Sequence, residues 1–438
     1  MTLFLGHTRF SIDAYGSAWF NATRTRPSGV SMFESRQEYL DWLYDHDRLE
    51  RRAKILLEWS LPQLQLAAEQ IAAHGHEVRH VVSYSANLPE AFQTRLREAA
   101  EQFPLLHLHQ TSGVVDGFLP PEEVVHELLD ARDSAGGGEA EVFAAYRLDD
   151  DDILSTDYFT LLEPYVGAEN VGFRVSLGLG FSGVWRDGRL CAARETYYPM
   201  ISMGMASICS RDTDRWLHVP ERYVDASQDN HDLADRGAPV ITDSRKPAFF
   251  RILHETQSGV LHRTRQLSRH WYADALSRIQ HAPPADPDVV AEKFPVLAQA
   301  VTVAHGTEGE TIELLDEELD LCEERVPFEI QLNRPFVLEV DFTSEQEAIS
   351  QDIAVKWQVE AEDGFDLHCT ECTQQYTRSD VRYHRKYGYT TWVPTRKQFG
   401  VTRHAVVDVH PQTRITGLTV LTRGKNPTRL RQIRITEI

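Results

Sequence analysis

Val142-Phe-Ala-Ala-Tyr-Arg-Leu-Asp-Asp-Asp-Asp152 is a short apolar run that ends in four consecutive carboxylates, with a helix-like stretch from Ser155 to Leu162 behind it. A buried strand, a polar turn and a helix in that order form one step of an α/β sheet. The step recurs upstream. Leu3 to Leu5, Val78 to Tyr84 and Leu105 to Leu108 are further apolar runs, separated by longer amphipathic stretches at Gln37 to Ala73, Glu90 to Gln102 and Pro121 to Arg132. Helical crossovers between strands predict mostly parallel pairing. Downstream, Val175 to Val184 and Leu190 to Ala193 flank Arg186-Asp187-Gly188, a hairpin signature that makes the sheet mixed. His262 to Ile279 predicts a helix, and the proline-rich breaker His281 to Pro287 ends this first domain near residue 280.

The rest of the chain has a different texture. Glu308 to Glu324 is acidic and reads as a solvated segment or a poor helix. After it come seven alternating runs: Pro327 to Leu332, Phe336 to Phe342, Ile353 to Ala361, Thr390 to Val393, Val401 to Val409, Ile415 to Thr422 and Leu430 to Ile435. Period-two alternation with turn residues between the runs predicts a β-sandwich. The expected organisation is an α/β domain over 1–280, a connecting segment over 281–325 and an all-β domain over 326–438.

Charge limits the partners. A formal net charge of −21 over 438 residues disfavours nucleic acid. The charge is uneven: 13 Lys or Arg against three acids give residues 373–438 a charge of +10, which predicts a basic face on the second domain. The N-terminus lacks the basic start and apolar core of a signal peptide, and no window approaches the roughly 18 apolar residues of a membrane span. The expected location is the cytoplasm, with peripheral attachment to the inner membrane face left open. Five cysteines do not make a disulfide framework, and Cys369-x-x-Cys372 would need His368 and Cys322 to complete a zinc site.

The chemistry is concentrated in the aspartates. Four adjacent carboxylates repel one another, so a fold that holds them beside a buried strand needs cations to compensate them. Mg²⁺ or Mn²⁺ suits such oxygen donors and is commonly shared between one or two carboxylates and a substrate's phosphates. The alternative is a plain solvated turn, since Asp is common at helix starts. A second feature is the tract Arg382-Tyr-His-Arg-Lys-Tyr-Gly-Tyr389, with Trp392, Arg396 and Lys397 nearby. Cations and aromatics so mixed fit either a sugar or polyanion surface or a charged strand edge.

Arg147-Leu-Asp-Asp-Asp-Asp152 after a strand resembles the DxD motif of GT-A nucleotide-sugar transferases. Leu5-Gly-His-Thr-Arg-Phe-Ser11, Trp59-Ser-Leu-Pro-Gln63 and Phe250-Arg-Ile-Leu-His-Glu-Thr-Gln257 resemble, in order and spacing, the putative rhamnosyltransferase family of bacterial surface-polysaccharide synthesis. The resemblance spans roughly residues 1–265 and departs from the family pattern at Gln257, where Asn is expected. It implies a GT-A α/β fold and transfer from a nucleoside-diphosphate sugar to a capsule-like or lipid-linked glycan. Thr8, Arg9, Arg147, Asp149 and Asp150 would meet the donor, and Asp149, Asp151 and His254 would hold Mn²⁺ or Mg²⁺. An inverting enzyme also needs a carboxylate base, for which Glu195, Asp214 and Asp232 are the candidates. Two other readings of the same residues are a metal-dependent nucleotidyl- or phosphotransferase and a glycan-binding protein without catalysis.

Overall fold

The computed structural model describes residues 2–17, 23, 32–113, 120–134, 142–210, 231–257, 260, 270–280, 282–304, 309–315, 317–321, 325–344, 353–369, 372, 376, 380–385, 387–393, 403–422 and 428–438. Its N-terminal part is the expected mixed α/β sheet. The strands are β1 (Leu3–Phe10), β2 (Glu77–Ser85), β3 (Leu106–Thr111), β4 (Val142–Arg147), β5 (Asp152–Leu154), β6 (Arg174–Leu177), β7 (Leu179–Arg186), β8 (Arg189–Tyr197), β9 (Ala206–Ser210), β10 (Val240–Asp243) and β11 (Phe249–Leu253). Seven of them form one sheet in the order β10-β6-β9-β4-β1-β2-β3. Strands β1 to β4 pair in parallel and β9 runs antiparallel between β4 and β6. Every residue of β1 is buried, as a central strand covered on both faces requires.

The helices follow from apolar spacing and caps. They are α1 (Arg36–Leu43), α2 (His46–Ala53), α3 (Leu61–Ala72), α4 (Glu90–Gln102), α5 (Glu122–Ser134), α6 (Tyr158–Leu162), α7 (Trp271–Ile279) and α8 (Pro287–Lys293). In α3 the buried Leu64, Ala67 and Ile71 recur at three- and four-residue spacing and form its core face. The single stretch expected over Gln37 to Ala73 is broken because the Asp45 side chain accepts from the Arg48 amide and starts a new helix. A π-helical segment, Lys54–Ser60, then joins α2 to α3.

Two expectations need correction here. Val175 to Val184 is not one strand: Gly178 separates β6, in the large sheet, from β7, in a four-stranded sheet ordered β5-β11-β7-β8. A side chain at Gly178 would lie 2.7 Å from Ser244 Oγ and 2.8 Å from Pro199 Cα, so the crossing point admits only glycine. The Asp187-Gly188 hairpin forms as expected, both residues taking positive φ as a tight two-residue turn demands. The acidic stretch is the second correction. It contains β12 (Thr311–Glu313) and β13 (Leu319–Leu321), which pair antiparallel with the last strand.

The remaining strands are β14 (Arg325–Leu332), β15 (Phe336–Ser344), β16 (Ile353–Ala361), β17 (Arg382–His384), β18 (Gly388–Val393), β19 (Arg403–Val407), β20 (Thr413–Thr422) and β21 (Thr428–Glu437). They form two sheets, β12-β21-β15-β19 with β13 beside β21, and β14-β20-β16-β18-β17. Phe336, Leu338 and Ile433 of the first share one core with Ile353, Trp357 and Leu418 of the second. The basic face expected of this region is partly neutralised within it. Arg431 pairs with Asp341, Arg434 with Glu339 and Arg414 with Glu360, and Arg429 with Asp320 and Glu318, so the acidic stretch supplies some of the partners of the cationic tail across the strands.

The chain divides into two compact units, Met1–Gly183 with Glu195–Ile252 and Pro284–Val301, and Val184–Arg194 with Leu253–Pro283 and Thr302–Ile438. These interleave along the sequence, whereas consecutive domains were expected. Within the second unit Val184, Ala192, Leu253, Tyr272 and Leu276 form one core with Val337 and Val406, which explains why 184–194 and 253–283 belong to it. Of the helix expected over 262–279, residues 262–269 lie outside the described residues. Among the described residues no helix is long and apolar enough to cross a membrane.

Candidate active site

Strands β1 and β4 lie side by side in register, Gly6 opposite Tyr146 and His7 opposite Arg147, so their carboxyl ends open on the same edge of the sheet. The loop leaving β4 is held there from below. The Leu148 amide donates to the His7 carbonyl at 3.0 Å, and the Thr8 hydroxyl donates to the Leu148 carbonyl at 2.7 Å. With its one proton so used, Thr8 Oγ1 can only accept from His80 Nε2, 2.9 Å away. His80 is therefore the Nε2–H tautomer, and its Nδ1 accepts from the Tyr146 hydroxyl at 3.0 Å. Gly6 makes room for this chain, since a Cβ there would lie 2.2 Å from His80 Nδ1. Thr8, expected against the donor, is fully buried with its hydroxyl bonded to the loop.

Burial lowers the His80 pKa to about 3. The unfolded chain takes up a proton near pH 6.5 that the folded state refuses, so this contribution to stability is complete above pH 6.5 and is lost as the pH falls toward about 3. The slope is about 1.4 kcal/mol per pH unit, or about 2 kcal/mol between pH 6.5 and 5. Denaturant midpoints over that range are expected to fall more steeply for the wild type than for His80→Gln. Equal slopes would mean that His80 is protonated in the folded state.

The four aspartates leave this scaffold in different directions. Asp149 is held by Arg147, whose Nη2 reaches both carboxylate oxygens at 2.8 Å. Asp150 is fully buried and gripped by Arg52 through Nε at 2.8 Å and through Nη2, while Arg52 Nη1 stands 3.6 Å from Asp151. Arg52 lies in the last turn of α2, just before the π-helical segment, whose Ser60 hydroxyl donates to the Asp152 carbonyl at 3.0 Å. Asp152 opens β5 opposite Arg251 and forms no salt bridge among the described residues, although it is buried. Burial, then Asp151 and Asp149, raises its pKa well above the usual carboxylate value. Burial lowers Arg9 to about 10, with Arg147 adding to the shift and Asp149 and Asp150 opposing it.

Carboxylate oxygens of Asp149, Asp151 and Asp152 lie within 4.8 Å of one another, the one such group of potential metal ligands among the described residues. Oxygen donors at that spacing fit a hard divalent cation, and one of them is a buried carboxylate that its neighbours disfavour as an anion. Asp152 did not stand out in the sequence because the resemblance to a DxD motif singles out Asp149 and Asp151. Its burial comes from pairing with β11, about 100 residues downstream.

The other expected residues are placed as follows. His254 follows β11 in the second unit, buried, its Nδ1 2.8 Å from Thr256 Oγ1. Glu195 is exposed on β8. Asp214 and the side chain of Asp232 lie outside the described residues, as do Cys322, Lys386, Arg396 and Lys397. Cys369 is a free thiol, and the buried Cys372 has its Sγ 3.7 Å from the Tyr389 hydroxyl. Arg382, Tyr383 and His384 are exposed on the edge strand β17, whereas Tyr389 is in the core.

Residues 4–266 match the family described as "Putative rhamnosyl transferase". A comparison with curated proteins found no match. Among solved structures, HddC from Yersinia pseudotuberculosis is 11% identical over 58% of this chain and 90% of its own, with a TM-score of 0.23. TarS from S. aureus, residues 1–349 in complex with UDP-GlcNAc, is 10% identical over 57% of this chain and 58% of its own, with a TM-score of 0.24. Likenesses that weak carry no argument about the fold.

Proposed function

The chain belongs to the putative rhamnosyl transferase family and is a glycosyltransferase, and from that premise we propose a metal-dependent GT-A enzyme that takes a sugar from a nucleoside diphosphate to a bacterial surface glycan. The observation that supports this reading most directly is the carboxylate group Asp149, Asp151 and Asp152 at the carboxyl edge of a mixed sheet, where α/β folds bind their ligands. These three residues would hold Mn²⁺ or Mg²⁺. When bound, the cation supplies charge neutralisation to the departing diphosphate.

The chain's own residues supply the remainder. Arg147 and Arg9 provide fixed positive charge beside Asp149, suited to a phosphate or to the aspartates in its absence. Arg52 opposes the rise that burial gives the Asp150 pKa and holds the carboxylate in place, so in this reading Asp150 is a support for the loop and the donor meets its neighbours. Glu195, exposed and in the same unit as the aspartates, is a proposed base for the acceptor hydroxyl, beside Asp214 and Asp232. The acceptor is proposed to be a capsule-like or lipid-linked glycan, approached at the inner membrane face.

A thermal-shift screen of UDP, GDP, dTDP and CDP, each with and without Mn²⁺, tests the donor site. Ligand at a hundredfold its Kd stabilises the folded state by about 2.7 kcal/mol. One nucleotide is expected to raise the melting temperature in the presence of Mn²⁺. No shift with any of the four would sink the donor-site reading.

A further inference from the structure

The large sheet places one more feature at its ligand edge. Strand β6 runs parallel to β4, because both pair antiparallel with β9, so β6 ends on the same edge as the aspartates. Gly178 lies just past that end, and the Tyr198 amide donates to its carbonyl at 2.7 Å. The end of β8 is thereby fixed at the aspartate edge. The loop beyond is pinned as well: Ile201 and Met203 are buried, the Gly204 amide donates to the Arg147 carbonyl at 2.8 Å, and Gly204 takes a positive φ against the Tyr158 ring.

Against this rigid background Tyr197 is 66% exposed, the most exposed large apolar side chain among the described residues, and Tyr198 beside it is 36% exposed. Side chains two apart on a strand share a face, so Glu195 and Tyr197 project together while Thr196, its hydroxyl 2.7 Å from Ser182 Oγ, turns the other way. Three strand spacings of about 4.8 Å separate β8 from β5, where Asp152 stands. Burial does not account for an aromatic ring held in water by a pinned strand end beside a carboxylate. A pyranose does: its C–H face stacks on the ring while its hydroxyls donate to the carboxylate.

We infer that the Glu195–Tyr197 face of β8 is the acceptor-sugar subsite, with Tyr197 stacking on a pyranose ring and Glu195 accepting from its hydroxyls. The inference rests on the glycosyltransferase reading above. Methyl glycosides of rhamnose, galactose, glucose and N-acetylglucosamine serve as probes, titrated by saturation-transfer NMR against wild type, Tyr197→Ala, Tyr197→Phe and Glu195→Gln. At least one glycoside is expected to bind the wild type. Its Kd should rise about tenfold in Tyr197→Ala and hold in Tyr197→Phe, which keeps the ring. Glu195→Gln should weaken binding less than Tyr197→Ala does. Nucleotide binding with Mn²⁺ is expected to be unchanged in all three variants. Glycoside binding that survives Tyr197→Ala, or its absence in a wild type that does bind nucleotide, overturns the subsite. Loss of nucleotide binding in the wild type would instead overturn the donor site.

Discussion

Asp151→Ala is expected to abolish the Mn²⁺-dependent stabilisation by nucleoside diphosphate and to lower transfer at least about a hundredfold, since a metal at a developing phosphate charge contributes several kcal/mol. Thermal shift and turnover with Mn²⁺ measure the two effects. Loss of a ligand alone does not separate a metal site from a structural acidic turn, and a companion variant does. Asp152 is buried, carries no salt bridge among the described residues and has its pKa raised by burial and two neighbouring carboxylates. Asp152→Asn keeps the shape and removes the charge. In the absence of metal it is expected to stabilise the fold by about 1 kcal/mol while losing the Mn²⁺ response, as happens where a site is kept at a cost to stability. A variant that is less stable than the wild type and still responds to Mn²⁺ would show that Asp152 is structural.

Arg52→Ala has the largest expected effect on stability. It leaves Asp150 fully buried without its partner, and removing one member of a buried ion pair costs about 3–5 kcal/mol. Burial raises the Asp150 pKa and Arg52 opposes that rise. Burial works to lower Arg52 and is outweighed by Asp150 and Asp151, so its pKa goes up. Without the arginine, Asp150 escapes the penalty only by taking a proton. Its folded pKa then stands further above the unfolded value near 3.9, so the variant recovers relative to the wild type as the pH falls. Urea unfolding at pH 8 and pH 5 is expected to show a smaller deficit at pH 5. A constant deficit would mean that the lost energy is packing of the arginine stem and not an unpaired charge.

Sequence pattern alone carried the elements whose signal is local. Helix α4 spans Glu90–Gln102 as its apolar spacing predicts, and β16 spans Ile353–Ala361 as its alternation predicts. The aspartate run was legible for the same reason: consecutive like charges behind an apolar strand need no tertiary contact to be noticed. The partners of those charges were not. Arg52 reaches Asp150 across 98 positions, and Asp152 becomes buried through a strand that begins at Phe249. The acidic segment before residue 324 looked solvated because its neutralising arginines lie in β21, more than 100 residues later.

Local pattern was enough to read α/β periodicity in the N-terminal residues, strand alternation after residue 325 and a run of carboxylates at 149–152, because periodicity and charge repulsion act between neighbours in the chain. The arginine that meets each aspartate, the grouping of Asp149, Asp151 and Asp152, and the exposure of Tyr197 were not legible in that pattern. Burial, and the choice of partner that goes with it, depends on segments that meet only when the chain has folded.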